Sequence, residues 1–190
     1  MSVRHVRGRL FVDYVRMLRA FKGGDWTKHL TPRDLDHLVM RIDPQAWYPM
    51  DTFERMGLAI LAEIQPDLET IRAWGRMQVD ALCAQDPSPL VPDDAIETLM
   101  RFRVLRASFF DYAALDVPEL THGEATLVVS YAMSPHAEEA ASWQTVGFFE
   151  RLLELAGARD VVASFTSKAW DGDLVTTVRL TWVGPGQPTR

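Results

Sequence analysis

The stretch Glu124-Ala-Thr-Leu-Val-Val-Ser-Tyr-Ala-Met133 decides the fold class of this 190-residue chain. Its apolar residues alternate with more polar ones, as in a strand that buries one face: Ala125, Leu127, Val129 and Tyr131. His122-Gly123 before the stretch predicts a turn, and residues 113–120 before that turn have a weaker strand pattern. Strands joined by a short turn pair antiparallel, so residues 113–133 predict a β-hairpin.

A second hairpin is predicted after one helix. Residues 138–156 carry apolar side chains at three- and four-residue steps, which predicts a helix, and Gly157 is a suitable residue to end it. Residues 161–168 and 174–182 alternate again, and the Asp-Gly pair between them is a hairpin turn signal. The order strand, strand, helix, strand, strand predicts a four-stranded antiparallel sheet covered on one face by helices.

The N-terminal half of the chain has the period of helices. Helices are predicted at residues 9–21, 31–39, 52–64, 68–83 and 94–110, and the last is apolar on several sides, as expected of a central helix. Three prolines within residues 86–94 predict a linker, the best internal boundary. The predicted fold class is α+β, with the helical half packed on the sheet in a single domain. That domain covers residues 8–183 and has a helical part at 8–110 and a sheet part at 111–183. A flexible N-terminus at 1–7 is predicted before it, and a disordered tail at 184–190 after it.

Composition excludes several classes of protein. With 47% hydrophobic and 24% charged residues, the chain is typical of soluble globular proteins and unlike disordered or membrane proteins. A net charge of −6 argues against nucleic-acid binding, which needs clustered cations. The lone Cys83 fits a reducing compartment, and no apolar run approaches the ~20 residues that span a bilayer. We therefore expect a cytoplasmic protein without membrane insertion.

The chemistry-bearing residues form no catalytic or metal pattern. The five histidines are scattered, and none lies four residues from another, so no metal site is expected. Ser134-Pro-His136 contains a nucleophile and a base but lacks the glycine frame of a nucleophile elbow. No glycine pair has the strand-loop-helix context of a phosphate loop. The sequence predicts no catalytic residue, no cofactor and no enzyme.

Aromatic side chains are the remaining candidates for function. Five of them either line an apolar ligand pocket or fill the core between helices and sheet: Trp47, Tyr48, Tyr131, Trp143 and Phe149. Trp170 differs from these because it falls in the predicted hairpin turn, where exposure makes it a candidate contact for a protein partner.

Two phrases carry a family resemblance: Trp47-Tyr-Pro-Met-Asp-Thr-Phe53 at the start of a helix, and residues 142–158 before a final hairpin that ends in Leu180-Thr-Trp182. Together they resemble a paralogous family of unknown activity that has multiplied in myxobacteria. The layout of residues 8–183 also resembles a wider group that holds haem-nitric-oxide-binding domains, 4-vinyl-reductase-like domains and transport-particle subunits. The resemblance implies an α+β sensor or docking module that encloses a hydrophobic pocket.

The metal chemistry of that group has no residues to support it here. The haem-binding branch has a histidine on the helix before the sheet and a Tyr-x-Ser-x-Arg motif. This chain keeps Tyr131 but has Met133 and Pro135 in place of the serine and arginine, and residues 94–110 contain no histidine. The 4-vinyl-reductase-like branch carries late cysteines, whereas none follows Cys83 here. The resemblance therefore does not extend to a metal or haem.

Two functional hypotheses follow from the sequence. The first is a non-catalytic regulatory or scaffold module that acts through protein contacts, with a protein partner and a plausible homodimer. The alternative is a sensor that binds a small apolar ligand between the helices and the sheet.

Overall fold

The structure, a computed structural model, describes residues 3–184. The predicted disordered tail lies, from residue 185 onward, outside the described residues. The chain divides into two compact units: unit 1 contains residues 1–66 and 107–113, and unit 2 contains residues 67–106 and 114–190.

The predicted linker does not separate these units. The sequence predicts one domain with its best internal boundary at residues 86–94, but the structure places those residues inside unit 2. They are folded back there because the Thr98 hydroxyl accepts a hydrogen bond from the Val91 N–H at 3.0 Å and donates one to the Val91 carbonyl at 3.3 Å.

Unit 1 contains a short two-stranded sheet and three helices. The elements in chain order are β1 (His5–Arg7), α1 (Gly8–Ala20), α2 (Pro32–Val39), β2 (Trp47–Pro49) and α3 (Met50–Ile64). β1 pairs antiparallel with β2, and Val6, the middle residue of β1, is fully buried. The predicted flexible N-terminus is therefore a strand from His5 onward. Three residues are too few to show the alternation by which a strand is recognised in a sequence.

A buried carboxylate joins α2 to α3 in unit 1. Asp34 is fully buried and receives two hydrogen bonds of 2.8 Å from the Arg55 guanidinium, in addition to one from the Thr31 hydroxyl at 2.7 Å. Thr31 and Asp34 also form the capping box at the start of α2. Burial alone raises the pKa of Asp34, but the hydrogen bonds from Arg55 and Thr31 outweigh it and hold the pKa well below its ordinary value.

This depressed pKa gives unit 1 a defined response to acid. The unfolded chain protonates Asp34 near its ordinary pKa of about 3.9, whereas the folded chain resists protonation, so stability is lost as the pH falls below about 4. We expect Asp34→Asn to flatten the fall in the free energy of unfolding between pH 5 and pH 3, as measured by urea denaturation at each pH. Asp36→Asn, at an exposed position of the same helix, is the control and should keep the wild-type fall. An equal fall in both variants would contradict this assignment.

Unit 2 contains the predicted sheet. Its elements are α4 (Leu68–Gln85), α5 (Ala95–Leu105), β3 (Leu115–Leu120), β4 (Glu124–Val129), α6 (Pro135–Leu155), β5 (Arg159–Ser167) and β6 (Thr176–Val183). The strand order is β3-β4-β6-β5, and every neighbouring pair is antiparallel. One face of the sheet is buried, and α6 packs on β5 and β6. The predicted α+β fold class is confirmed.

The central helix of unit 2 differs from the predicted one. Residues 94–110 are predicted to be central, but Met100 and Val104 of α5 are 49% and 79% exposed. The helix with the most buried residues is α6, and it begins at Pro135, three residues before the predicted start. Proline in the first turn of a helix costs no hydrogen bond, because the first N–H groups have no partner within the helix.

Helices α4 and α6 approach each other at two glycines. A Cβ on Gly75 would lie 1.9 Å from the carbonyl oxygen of Gln144, and one on Gly147 would lie 1.9 Å from the carbonyl oxygen of Arg72. No side chain fits between the two backbones at this point. The sequence shows Gly75 only as a residue that weakens a helix, whereas the structure shows that it permits the contact.

Candidate functional site

The six aromatic residues predicted for function are divided between the two units. Trp47 and Tyr48 belong to unit 1, and the other four belong to unit 2. The Tyr48 ring stacks on Phe11 with centroids 4.4 Å apart, and Trp47 lies beneath the Arg7 guanidinium, whose carbon is 3.7 Å from the ring centroid. Trp47 is still 38% exposed. Both residues therefore have ring or cation partners within unit 1.

Tyr131 and Phe149 fill the interior of unit 2. The Tyr131 hydroxyl is 2.6 Å from the Thr145 hydroxyl, and burial raises the pKa of Tyr131 to about 12, so the phenol is neutral at ordinary pH. Phe149 is fully buried and meets the Phe102 ring edge to face at 4.8 Å. Both side chains are packed against residues of their own unit.

Trp143 and Trp170 are brought together by a third ring, Phe165. The Trp143 and Phe165 centroids are 5.0 Å apart at an interplanar angle of 69°, and those of Phe165 and Trp170 are 5.1 Å apart at 86°. These are the edge-to-face arrangements that aromatic rings favour. We call these three residues, from α6, β5 and the segment after β5, the aromatic cluster. All three residues remain partly exposed to solvent, so the cluster is a surface feature of unit 2.

The segment between β5 and β6 is longer than the predicted two-residue turn, and its backbone holds Trp170 against Phe165. Residues Ala169–Asp171 form a 3-10 helix, and Gly172 ends it with a φ of 108°, in the left-handed region that favours glycine. The Asp173 carboxylate accepts a hydrogen bond from the Lys168 N–H at 2.7 Å, which closes the loop. Trp170 is therefore half-buried, and it is less exposed than its predicted place in a two-residue turn implies.

Charged groups lie beside Trp170 of the aromatic cluster. The Lys168 ammonium lies 5.8 Å from the centroid of Trp170 and 3.5 Å from the Asp171 carboxylate. Asp171 and Asp173 are both exposed. Large rings with a polar rim are the composition found at the centres of protein interfaces.

A buried carboxylate lies at the start of α6. Glu138 is 3% exposed, and its two oxygens accept hydrogen bonds from the N–H groups of Tyr131 at 3.0 Å and Met133 at 2.9 Å. Ala132 between them has a φ of 54°, which turns both N–H groups toward the same side chain. Glu138 thus fixes this loop, and each of its oxygens is engaged by a backbone N–H group. Within residues 3–184, no group of three or more His, Cys, Asp or Glu side chains is placed to hold a metal ion.

The residues of unit 2 do not fit a haem. An axial ligand is a histidine, cysteine, methionine or tyrosine, and the histidine-bearing helix of the haem-binding branch has no histidine here. Phe102 of α5 is instead 2% exposed and packs its ring against Phe148 at 5.4 Å and Phe149 at 4.8 Å.

Comparison with solved structures identifies the fold class. The chain matches the crystal structure of an oxygen-binding H-NOX domain related to soluble guanylate cyclases with a TM-score of 0.61 and 13% identity, over 97% of this chain and 98% of that one. It matches a Cs H-NOX mutant that carries 4-cyano-L-phenylalanine with a TM-score of 0.63 and 13% identity, over 96% and 100% of the two chains. It also matches a structure that bears on the molecular mechanism of H-NOX activation, with a TM-score of 0.61, 13% identity and coverage of 96% and 100%.

At this identity the likeness establishes the fold alone, and the chain therefore has the fold of H-NOX domains. No family model and no curated protein matches the sequence. Among the helices within residues 3–184, none combines the length and apolar character needed to cross a membrane.

Phe165 is the member of the aromatic cluster that sequence reasoning missed. Phe165 lies in a predicted strand, two residues from Ala163. The alternation of that strand places both side chains on the face of the sheet that α6 covers. That signal was present in the sequence. The contact between Phe165 and Trp170 was not, because it depends on the loop that returns the chain to β6.

Proposed function

We propose that this protein is a non-catalytic regulatory or scaffold module that binds another protein through the aromatic cluster of unit 2. The observation that carries the proposal is the arrangement of Trp143, Phe165 and Trp170, three partly exposed residues whose rings are held edge to face at the border of the sheet. Tryptophan is among the residues that contribute most to binding energy at protein interfaces. The proposed partner is a protein, and a second copy of this chain is one possible form of it.

Three buried ionisable groups of unit 2 support a role without catalysis. The buried carboxylates of Glu138 and Glu150 are both engaged in structural hydrogen bonds, and the Tyr131 hydroxyl is held neutral by burial. A general base must reach a substrate proton, and none of these three groups is exposed.

The alternative of a sensor for a small apolar ligand has less support. Two of its five predicted residues, Tyr131 and Phe149, are buried against side chains of their own unit. Two others, Trp47 and Tyr48, belong to unit 1 and are engaged there by Arg7 and Phe11.

The proposal also includes a family and a cellular location. We propose that the chain is one of the myxobacterial paralogues, on the basis of the two phrases at residues 47–53 and 142–158. A single cysteine and an acidic composition support a cytoplasmic location.

A photo-crosslinking experiment tests the docking role. With p-benzoylphenylalanine at position 170, irradiation of the producing cells is expected to give a discrete crosslinked species. The same probe at position 77, on the exposed side of α4, should give at least tenfold less. Trp143→Ala should suppress the crosslink at position 170, because removal of an aromatic anchor costs about 2 kcal/mol, or roughly thirtyfold in affinity. Equal crosslinking at positions 170 and 77, or none at either, would contradict the proposal.

The mass of the crosslinked species identifies the kind of partner. A product of twice 21.5 kDa indicates a homodimer, and any other mass indicates a different protein. Circular dichroism of purified Trp143→Ala excludes unfolding as the reason for a lost crosslink.

A further inference from the structure

We propose that an extended segment of the partner protein adds to the free edge of β5 as a further antiparallel strand and places one apolar side chain against the aromatic cluster. The segment carries basic residues on either side of that apolar residue. This inference rests on the proposed function and specifies the chemistry of its partner.

Strand β5 lies at one edge of the sheet. It is paired with β6 on one side only, and no other strand among the described residues pairs with its second side. Its outward residues are accessible, and Val162 is 57% exposed. An edge strand has backbone N–H and C=O groups that a segment of another protein can use as a template.

The opposite edge of the sheet, β3, is less suited to receive a strand. Pro118 in the middle of β3 has no N–H to donate. Arg106 also caps the Leu115 carbonyl with a hydrogen bond of 2.9 Å. Of the two edges, β5 is therefore the one suited to receive a strand.

Strand β5 has only a short run of regular pairing with β6. Irregularities lie between Arg159 and Val162 and between Phe165 and Ser167, which leaves the run from Val162 to Phe165 in regular register. Bulges at an edge twist it away from open-ended pairing between sheets. A short segment of a different protein fits this edge better than the β5 strand of a second copy, which carries the same bulges.

The aromatic cluster lies beside this edge. Phe165 belongs to the regular run of β5, and it contacts Trp143 of α6 on one side and Trp170 on the other. A strand added beside β5 directs every second side chain to the face that Phe165 occupies. An apolar side chain at that position packs against the rings, and a charged one is left without a partner there.

Unit 2 has an excess of acidic residues. Unit 2 contains seventeen acidic and ten basic residues, whereas unit 1 contains nine and ten. At one end of β5 Arg159 and Asp160 are both exposed, and beyond the other end Asp171 and Asp173 are exposed, with Lys168 3.5 Å from Asp171. Three acidic groups thus face two basic ones at this edge. Basic residues flanking the apolar one therefore complement this edge, and the excess of acidic groups disfavours a second copy of the unit.

Selection from a random peptide library tests the proposal on the full chain. Twelve-residue peptides displayed on phage and selected against immobilised wild-type protein are expected to give a consensus of one aromatic or large aliphatic residue flanked by Lys or Arg. The strongest peptide should bind Trp170→Ala at least tenfold more weakly than wild type. The double variant Asp160→Asn and Asp171→Asn should lose about fivefold, and Glu97→Gln on α5 should bind as wild type.

N-methylation of the selected peptide distinguishes strand addition from other modes of docking. Methyl groups placed one at a time on successive backbone nitrogens should weaken binding at least tenfold at every second position and less than twofold between them, because alternate N–H groups of an added strand bond to its neighbour. A Trp170-dependent peptide without this alternation would overturn strand addition and leave the docking function intact. An acidic consensus would overturn the predicted charge. Peptides indifferent to Trp170→Ala would overturn both proposals.

Discussion

Replacing Arg72 with methionine is expected to lower the free energy of unfolding of unit 2 by about 2–3 kcal/mol, because the buried carboxylate of Glu150 loses two charge-assisted hydrogen bonds from a partly exposed guanidinium. Arg72 on α4 donates two hydrogen bonds of 2.7 Å to the carboxylate of Glu150 on α6. Glu150 is 2% exposed. Its other basic neighbour, Arg76, is 3.8 Å away, too far to replace both hydrogen bonds.

Arg101→Met provides the matched control for this prediction. Arg101 forms an ion pair of 3.0 Å with Glu97 one helical turn away, and both side chains are more than 40% exposed. Exposed pairs of this spacing contribute about 0.3–0.5 kcal/mol. Urea denaturation followed by circular dichroism measures both variants. Equal losses for Arg72→Met and Arg101→Met would show that the buried pair adds nothing to the stability of unit 2.

The substitution Gly147→Ala is expected to cost about 3 kcal/mol, at the upper end for an added methyl group in a packed interior. The new Cβ would lie 1.9 Å from the Arg72 carbonyl oxygen, and the nearest atoms are all backbone, which cannot move aside as a side chain does. Helices α4 and α6 must therefore separate at this level. In an unconstrained helix the same change stabilises by up to about 1 kcal/mol, so the expected sign is the reverse of helix propensity.

Gly57→Ala on α3 is the control for Gly147→Ala. A Cβ there meets the Tyr14 ring edge at 3.1 Å, and a ring edge on a partly exposed side chain can shift by a few tenths of an ångström. We expect Gly57→Ala to change the melting temperature by less than about a third as much as Gly147→Ala. A stabilising effect of Gly147→Ala would mean that the two helix backbones are farther apart than the structure places them.

The two substitutions test a single junction, because Arg72 contributes both its side chain and its carbonyl oxygen to the contact with α6. Their effects are therefore expected to be less than additive in the double variant. A helix held in this way by a glycine contact and a buried ion pair gives the aromatic cluster a rigid support, since Trp143 lies on the same helix.

The order of helices and strands in unit 2 was predictable from local pattern, since the change of period after residue 110 reflects burial of one face of each strand and the glycine of His122-Gly123 favours a turn. The contacts that hold the elements together were not. Glu150 reads as an ordinary charged residue on an amphipathic helix, and Gly75 as a residue that weakens one. Each acquires its role only from the facing helix, which no local window contains.

The candidate site was predictable in part for the same reason. The sequence indicates Trp143 as a pocket residue and Trp170 as an exposed ring. Their connection depends on Phe165 and on a loop whose shape is set by Asp173 and Gly172. A short turn signal fixes neither the length nor the path of such a loop, so the meeting of the two tryptophans required the structure.

The carboxylate of Glu138 closes the loop before α6 from within the chain. Glu138 lies in the first turn of that helix, and its two oxygens bond to the N–H groups of Tyr131 and Met133 in the preceding loop. An anion from outside would have to compete for these N–H groups with a tethered group present at very high effective concentration. The path of this loop is thus set by a side chain of the polypeptide itself.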